Sequence, residues 1–254
     1  MKRFVSLFLI GCIRAILSVR FIVSVCGVML VLFLSSFRII SSQSDVLSVV
    51  MISGSGNFIL IVGLLPLIPY ATTFASEWET RATSYWLIRS GVRNYAANKV
   101  IVSAFSGFLA TFAGILLYAL FLLIKLPLFT EITTFDAYTP LLEAGMPVRY
   151  LLVSAAHLSL SSALFATAAL WISTYIPNRF TAISAPIVLY FTLYRLTRFW
   201  DLPPFLHLST LFEGTYHAGS PQATMFLKLG TVVILCTLMG YGIVRQIRRR
   251  VQHD

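Results

Sequence analysis

The sequence predicts an all-α integral membrane protein of six transmembrane helices. Three observations lead there. Hydrophobic residues make up 58% of the 254 residues and charged ones only 11%, giving a mean hydropathy of +0.86 that a water-soluble fold of this size could not hide. The apolar residues come in blocks long enough to cross about 30 Å of hydrocarbon, which takes about 20 helical residues each. The basic residues collect in alternate connecting segments, the mark of a chain threaded repeatedly through a bilayer.

The first apolar block, Phe4 to Leu17, is preceded by Lys2 and Arg3 and interrupted by Arg14. A basic start of this kind also begins a signal peptide, but no small-x-small cleavage site follows before the next span. Residues 1–20 therefore read as an amphipathic helix in the cytoplasmic interface that feeds the first span at Arg20. Spans are expected at about 21–37, 58–75, 100–124, 150–175, 181–199 and 223–244, separated by segments richer in Ser, Gly, Pro and charge. Pro66 and Pro69 in the second span and Pro186 in the fifth remove backbone donors and should bend those helices.

With six crossings both termini fall on one side. That side carries Lys2, Arg3, Arg14, Arg20, Arg81, Arg89, Arg93, Lys99, Arg179, Arg245, Arg248, Arg249 and Arg250, against Arg38, Lys125, Arg149, Arg195, Arg198 and Lys228 on the other. The asymmetry orients both termini to the cytoplasm of a multi-pass protein of the inner (plasma) membrane. The net charge of +10 is thus a topology signal, and it does not argue for nucleic acid.

Small residues recur at helical spacing on the third span (Ser103, Gly107, Ala110, Gly114) and on the fourth (Ser154, Ala155, Ser159, Ser162, Ala163, Ala166). Small faces let helix backbones approach each other in lipid, so these spans should pack inside the bundle or across a dimer interface. Cys12, Cys26 and Cys236 lie in or beside apolar blocks without metal-ligand spacing and read as reduced packing residues. His157 stands alone in the fourth span and takes no role. His207, Glu213 and His217 match no recognisable metal site, so no metal is expected.

The informative stretch lies between the second and third spans, residues 76–99. Glu77 and Glu79 come first, where acidic side chains suit a helix dipole; Tyr85, Trp86, Leu87 and Ile88 form an apolar patch; Arg89, Gly91 and Arg93 make a basic turn before Lys99. An aromatic and basic surface on the cytoplasmic side is suited to docking a soluble partner. In residue pattern this stretch resembles the permease subunits of type-2 ATP-binding-cassette exporters, and the layout of six spans with an amphipathic leading helix is similar to theirs. The chain departs from the family at Arg81-Ala82, where members commonly carry Gly-Thr, and at Ser90-Gly91, where they carry a Pro in the turn.

The resemblance implies that residues 76–99 form a cytoplasmic coupling helix that docks into a separate ATPase subunit, with Glu77, Glu79, Arg81, Tyr85, Trp86, Arg89 and Arg93 as the coupling residues. It also implies a second permease subunit, as a homo- or heterodimer, surrounded by membrane lipid. The chain has no G-x-x-x-x-G-K-[ST], so it cannot cradle nucleotide phosphates in the P-loop manner; no cofactor of its own is expected, and ATP and magnesium would sit on the partner ATPase.

Arg195 and Arg198 share a face near the outer end of the fifth span, with Lys228 near the outer end of the sixth; charges at that depth mark an outer gate or path, or snorkel to the headgroups. Residues 201–213 are apolar enough to dip back into the membrane as a re-entrant cap. No nucleophile beside a base, H-E-x-x-H or paired-carboxylate span occurs, so no catalytic residues are expected. Two other classes stay open on these residues. One is an ATPase-independent secondary transporter or channel, and the other a membrane immunity or scaffold protein.

Overall fold

The computed structural model describes residues 2–37, 40, 44–56, 59–131, 136–198 and 218–253, and every regular element among them is helical. In chain order these are α1 (Lys2–Ile16), α2 (Val19–Ser36), α3 (Val46–Gly56), a π-helical segment (Ile59–Leu64) running into a 3₁₀ turn (Leu65–Leu67), α4 (Thr73–Glu79), α5 (Ala82–Ser90), α6 (Val92–Leu122), α7 (Thr139–Glu143), α8 (Pro147–Tyr175), α9 (Arg179–Arg198) and α10 (Pro221–His253). Among the described residues four helices, α2, α6, α8 and α10, are long and apolar enough to cross a membrane.

The α6–α8 pair forms the centre. Ser103 and Gly107 from one small-residue stripe meet Ser162 and Ala166 from the other, so these residues lie inside this bundle. A Cβ on Gly107 would lie 2.8 Å from Ala166 Cβ and 3.0 Å from the Ser162 carbonyl oxygen. Only glycine lets the backbones come this close. The Ser103 hydroxyl donates to the Ala166 carbonyl at 3.0 Å, and Thr111 and Ser162 share a hydrogen bond of 2.6 Å. Gly114 performs the same service for α2, where an added Cβ would lie 2.6 Å from Val28. Gly242 brings α10 over the Trp171 ring of α8.

The second apolar block differs from the expected 58–75. Helix begins at Val46, because the Asp45 carboxylate accepts from the Ser48 amide at 2.9 Å and from the Thr130 amide at 3.2 Å, capping α3. The Ser- and Gly-rich residues 53–56, which read as a connecting loop, are helical. The helix is then broken rather than bent. Pro66 offers no amide, and the carbonyls freed nearby find side chains on neighbouring helices: Leu65 accepts from the Ser24 hydroxyl at 2.7 Å and Ile61 from the Thr111 hydroxyl at 3.4 Å. Irregular backbone at membrane depth needs such replacement donors. From Thr73 onward the chain belongs to α4.

Two other helices run well past their expected bounds. α6 starts at Val92 and is about 46 Å long at 1.5 Å per residue, more than a bilayer's hydrocarbon thickness, and extends the block expected at 100–124 by eight residues at its N-terminal end. α10 likewise runs past residue 244 to His253 and keeps Arg245, Arg248, Arg249 and Arg250 helical. α9 has Pro186 inside it and carries three arginines; it is long enough but less apolar than the other four. The expected re-entrant cap at 201–213 lies outside the described residues.

α1 packs Cys12 and Ala15 against Tyr70 and Val102. A Cβ on Gly11 would meet Val102 at 2.9 Å, so α1 lies tightly along α6. Its other face leaves Leu9, Ile10 and Ile13 exposed. An apolar face of that kind fits a helix held against the membrane.

Candidate functional site

Arg14, Trp86, Glu77, Lys99, Arg179 and Arg250 meet at one end of the bundle. There the chain leaves the 3₁₀ turn, makes the short α4, reverses, and returns through α5 into α6. The reversal is at Arg81, whose φ of 57° makes it the non-glycine residue with left-handed backbone among those described. A side chain tolerates that conformation poorly and glycine freely. Gly91, with φ of 75°, makes the second corner between α5 and α6. Nothing lies within 4 Å of a Cβ added there, so its backbone and not its size is what the corner uses.

Glu77 is turned into this hairpin. Its carboxylate accepts from the Lys99 ammonium at 2.7 Å and from the Tyr95 hydroxyl at 2.7 Å. The two side chains of the ion pair are 14% and 4% exposed, so the pair is buried. Lys99 also donates to the Thr73 hydroxyl at 3.0 Å, and its ammonium lies 4.8 Å from the Tyr70 ring centroid. A buried carboxylate needs this degree of satisfaction to be retained. The result is a latch that fixes α4 to the first turns of α6.

Glu79 reaches the opposite way, to Arg179 at the start of α9, at 2.9 Å. Both side chains are about half exposed, so the pair adds little stability and serves to mark where α9 meets the hairpin. Trp78, between the two glutamates, stacks on Phe74 and lies 4.9 Å beneath the Arg250 guanidinium of α10. Arg250 also donates to the Tyr175 carbonyl, which ends α8. Four helices therefore bear on one hairpin.

α5 divides cleanly into two faces. Thr83 is buried, Trp86 and Leu87 pack with Phe74, Tyr95, Leu170, Ile243 and Ile247, and the Trp86 ring lies 5.7 Å from the Arg14 guanidinium of α1. The opposite face presents Tyr85 at 79% and Ile88 at 86% exposure, flanked by the exposed Arg81, Arg89 and Arg93. Of the residues expected to couple to a partner, Tyr85, Arg89, Arg93 and Arg81 are thus exposed. Glu77 and Trp86 instead hold the hairpin in place beneath them.

From the sequence, Arg179, Arg250 and Lys99 counted only toward the basic side of the topology, and Tyr95 and Trp78 had no role. Their partners lie 18 to 22 positions away for Tyr95 and Lys99 and 103 away for the Arg179 contact with Ser76. No local spacing carries that information.

At the other end, Arg195 is exposed on α9 whereas Lys228 is buried on α10, 3% exposed. The side chain of Arg198 lies outside the described residues. His157 accepts or donates through Nδ1 to the Tyr138 hydroxyl at 2.6 Å, and Asp136 receives the Tyr150 hydroxyl at 2.8 Å. Burial, with the Asp136 charge adding to it, pushes the Tyr138 phenol well above its ordinary range, so it stays a donor. No cluster of three or more metal-ligating side chains occurs among the described residues.

No family model matches the chain, and no characterised protein or solved structure is similar to it.

Proposed function

We propose that the chain is the membrane-spanning permease subunit of an ATP-binding-cassette exporter, driven by a separate ATPase that docks on the α4–α5 hairpin. In this reading the broken segment 46–67 and α9 complete six crossings with the four long helices, and both termini lie in the cytoplasm of a cell whose inner membrane holds the protein. Gathering of Arg14, Arg89, Arg93, Lys99, Arg179 and Arg250 around one end of the bundle supports that orientation.

The observation that carries the reading is the division of α5 into a buried and an exposed face. A rigid hairpin, latched to α6 by Glu77–Lys99 and braced by α1 and α10, presents Tyr85, Ile88, Arg89 and Arg93 outward. Aromatic and arginine anchors on a fixed support are the composition of an energetic interface. The same rigidity would pass a push on α5 directly into α6 and α8, the central pair. Arg81 supports the resemblance as well, since its left-handed backbone falls where the exporter family carries glycine.

Purification of the full chain from its native membranes, followed by mass spectrometry of what accompanies it, tests the proposal. A stoichiometric P-loop ATPase is expected. Recovery of intact protein without one would refute the reading and favour an ATPase-independent transporter.

A further inference from the structure

Between the elbow joining α1 to α2 and the start of α4 lies an open cleft of about 380 Å³. Two of its walls are basic. Arg14 and Arg20 both line it and both are exposed. The ion pairs formed among the described residues are Lys99–Glu77 and Arg179–Glu79, so neither arginine faces a carboxylate partner there. The exposed Arg14 guanidinium lies 5.7 Å from the Trp86 ring centroid, a cation–π contact that favours this placement. Glu77 reaches the cleft too, but its charge is already met by Lys99. The balance of the site is cationic.

A second feature points to what the cation pair receives. A smaller recess of about 30 Å³ opens beside the cleft and shares Arg14, Tyr70 and Glu77 with it. Asn98 lines that recess. It is 8% exposed, and its side-chain carbonyl oxygen has no hydrogen-bond partner among the described residues. A buried acceptor left in that state is costly unless a donor reaches it. A space of that size takes about one small polar group.

Apolar surface leads away from the cleft. Val19 lines it at 75% exposure, and Ile22 and Val23 continue the exposed face along α2 at 58% and 53%. Two arginines, a buried acceptor at the end of a small recess, and an apolar track on a membrane-crossing helix match one kind of molecule.

We propose that this cleft binds one glycerophospholipid of the facing leaflet, its phosphodiester on Arg14 and Arg20, its acyl chains along α2, and a hydrogen-bond donor at the end of its headgroup directed to Asn98. The site is independent of the ATPase reading. Because Arg14 also rests on Trp86, an occupied cleft holds α1 against the back of α5.

Native mass spectrometry of the full chain in detergent, offered phosphatidylglycerol, phosphatidylethanolamine or phosphatidylcholine, tests it. The first two carry a terminal donor and the third does not, so retention at least tenfold above phosphatidylcholine is expected. R14Q with R20Q should lose that retention, R245Q with R248Q should keep it, and millimolar inorganic phosphate should not displace the lipid. Equal retention of all three lipids, or unchanged retention in R14Q/R20Q, overturns the proposal. Displacement by inorganic phosphate also overturns it, in favour of a soluble anion. Should R14Q/R20Q not fold, melting of the unmodified chain decides: phosphatidylglycerol raises the melting temperature and phosphatidylcholine does not, and identical curves overturn the lipid site.

Discussion

The Lys99 ammonium lies 2.7 Å from the Glu77 carboxylate, joining the helix that leaves the second apolar block to the helix that begins the third. The pair is buried and the Tyr95 hydroxyl completes it. Breaking a buried pair by removing one partner strands the other charge, at a cost of about 3–5 kcal/mol, whereas removing both leaves no charge behind. Glu77→Gln and Lys99→Met are each expected to destabilise by that order, and the double variant by clearly less than their sum. Thermal melts of the three proteins in one detergent give the coupling. Additive effects would mean that the pair is not a latch.

The α6–α8 contact is expected to be intolerant of a single methyl. Gly107→Ala places a carbon 2.8 Å from Ala166 Cβ and 3.0 Å from a backbone oxygen that cannot move aside. Overpacking of this kind costs about 1–3 kcal/mol. Gly230→Ala on α10 meets nothing within 4 Å and should melt at or slightly above the parent, since alanine is the better helix former. If both substitutions behave alike, close approach is not what the glycine in α6 provides.

Composition and block length carried the helical, membrane-embedded architecture, because burying apolar surface in lipid leaves its trace in every residue of a span. The small stripes on α6 and α8 were legible for the same reason, since close backbone approach permits few residue types. What failed to show was where helices stop. Ser53 and Gly54 look like loop residues by propensity, yet Asp45 caps α3 and carries helix through them. Pro66 announced an interruption but not its form, which depends on Ser24 and Thr111 from other helices. At the hairpin the sequence showed an aromatic and basic patch but not its division: Tyr85, Trp86, Leu87 and Ile88 read alike, and only Tyr85 and Ile88 face outward. Glu77 was misleading, because a carboxylate next to an apolar block looks the same whether it faces solvent or a lysine 22 positions on.

Arg81 holds φ of 57° between α4 and α5. Left-handed backbone costs a non-glycine residue about 1–2 kcal/mol. Arg81→Gly is therefore expected to raise stability by about 1 kcal/mol, and Arg81→Val, whose branched side chain suits that region least, to lower it. Melting temperatures in one detergent measure both. A loss of stability in Arg81→Gly would show that the arginine side chain contributes more than its backbone strain costs.

The exposed face of α5 separates docking from folding. Tyr85 and Ile88 are 79% and 86% exposed and sit over the buried Trp86 and Leu87. Replacing exposed side chains away from caps and ion pairs changes stability by about 0.5 kcal/mol or less. Truncating an aromatic or aliphatic anchor at the centre of an interface costs about 2 kcal/mol or more in binding, and the two together more than tenfold in affinity. Tyr85→Ala with Ile88→Ala should leave the melting curve unchanged and reduce recovery of an accompanying ATPase at least tenfold. Arg89→Gln with Arg93→Gln should also weaken association, most at low salt, because partly exposed charges are screened. Trp86→Ala acts differently: it removes the support under Arg14 and should lower stability and association together. If Tyr85→Ala with Ile88→Ala keeps full association while Trp86→Ala loses it, the partner binds the braced hairpin as a whole and not this face.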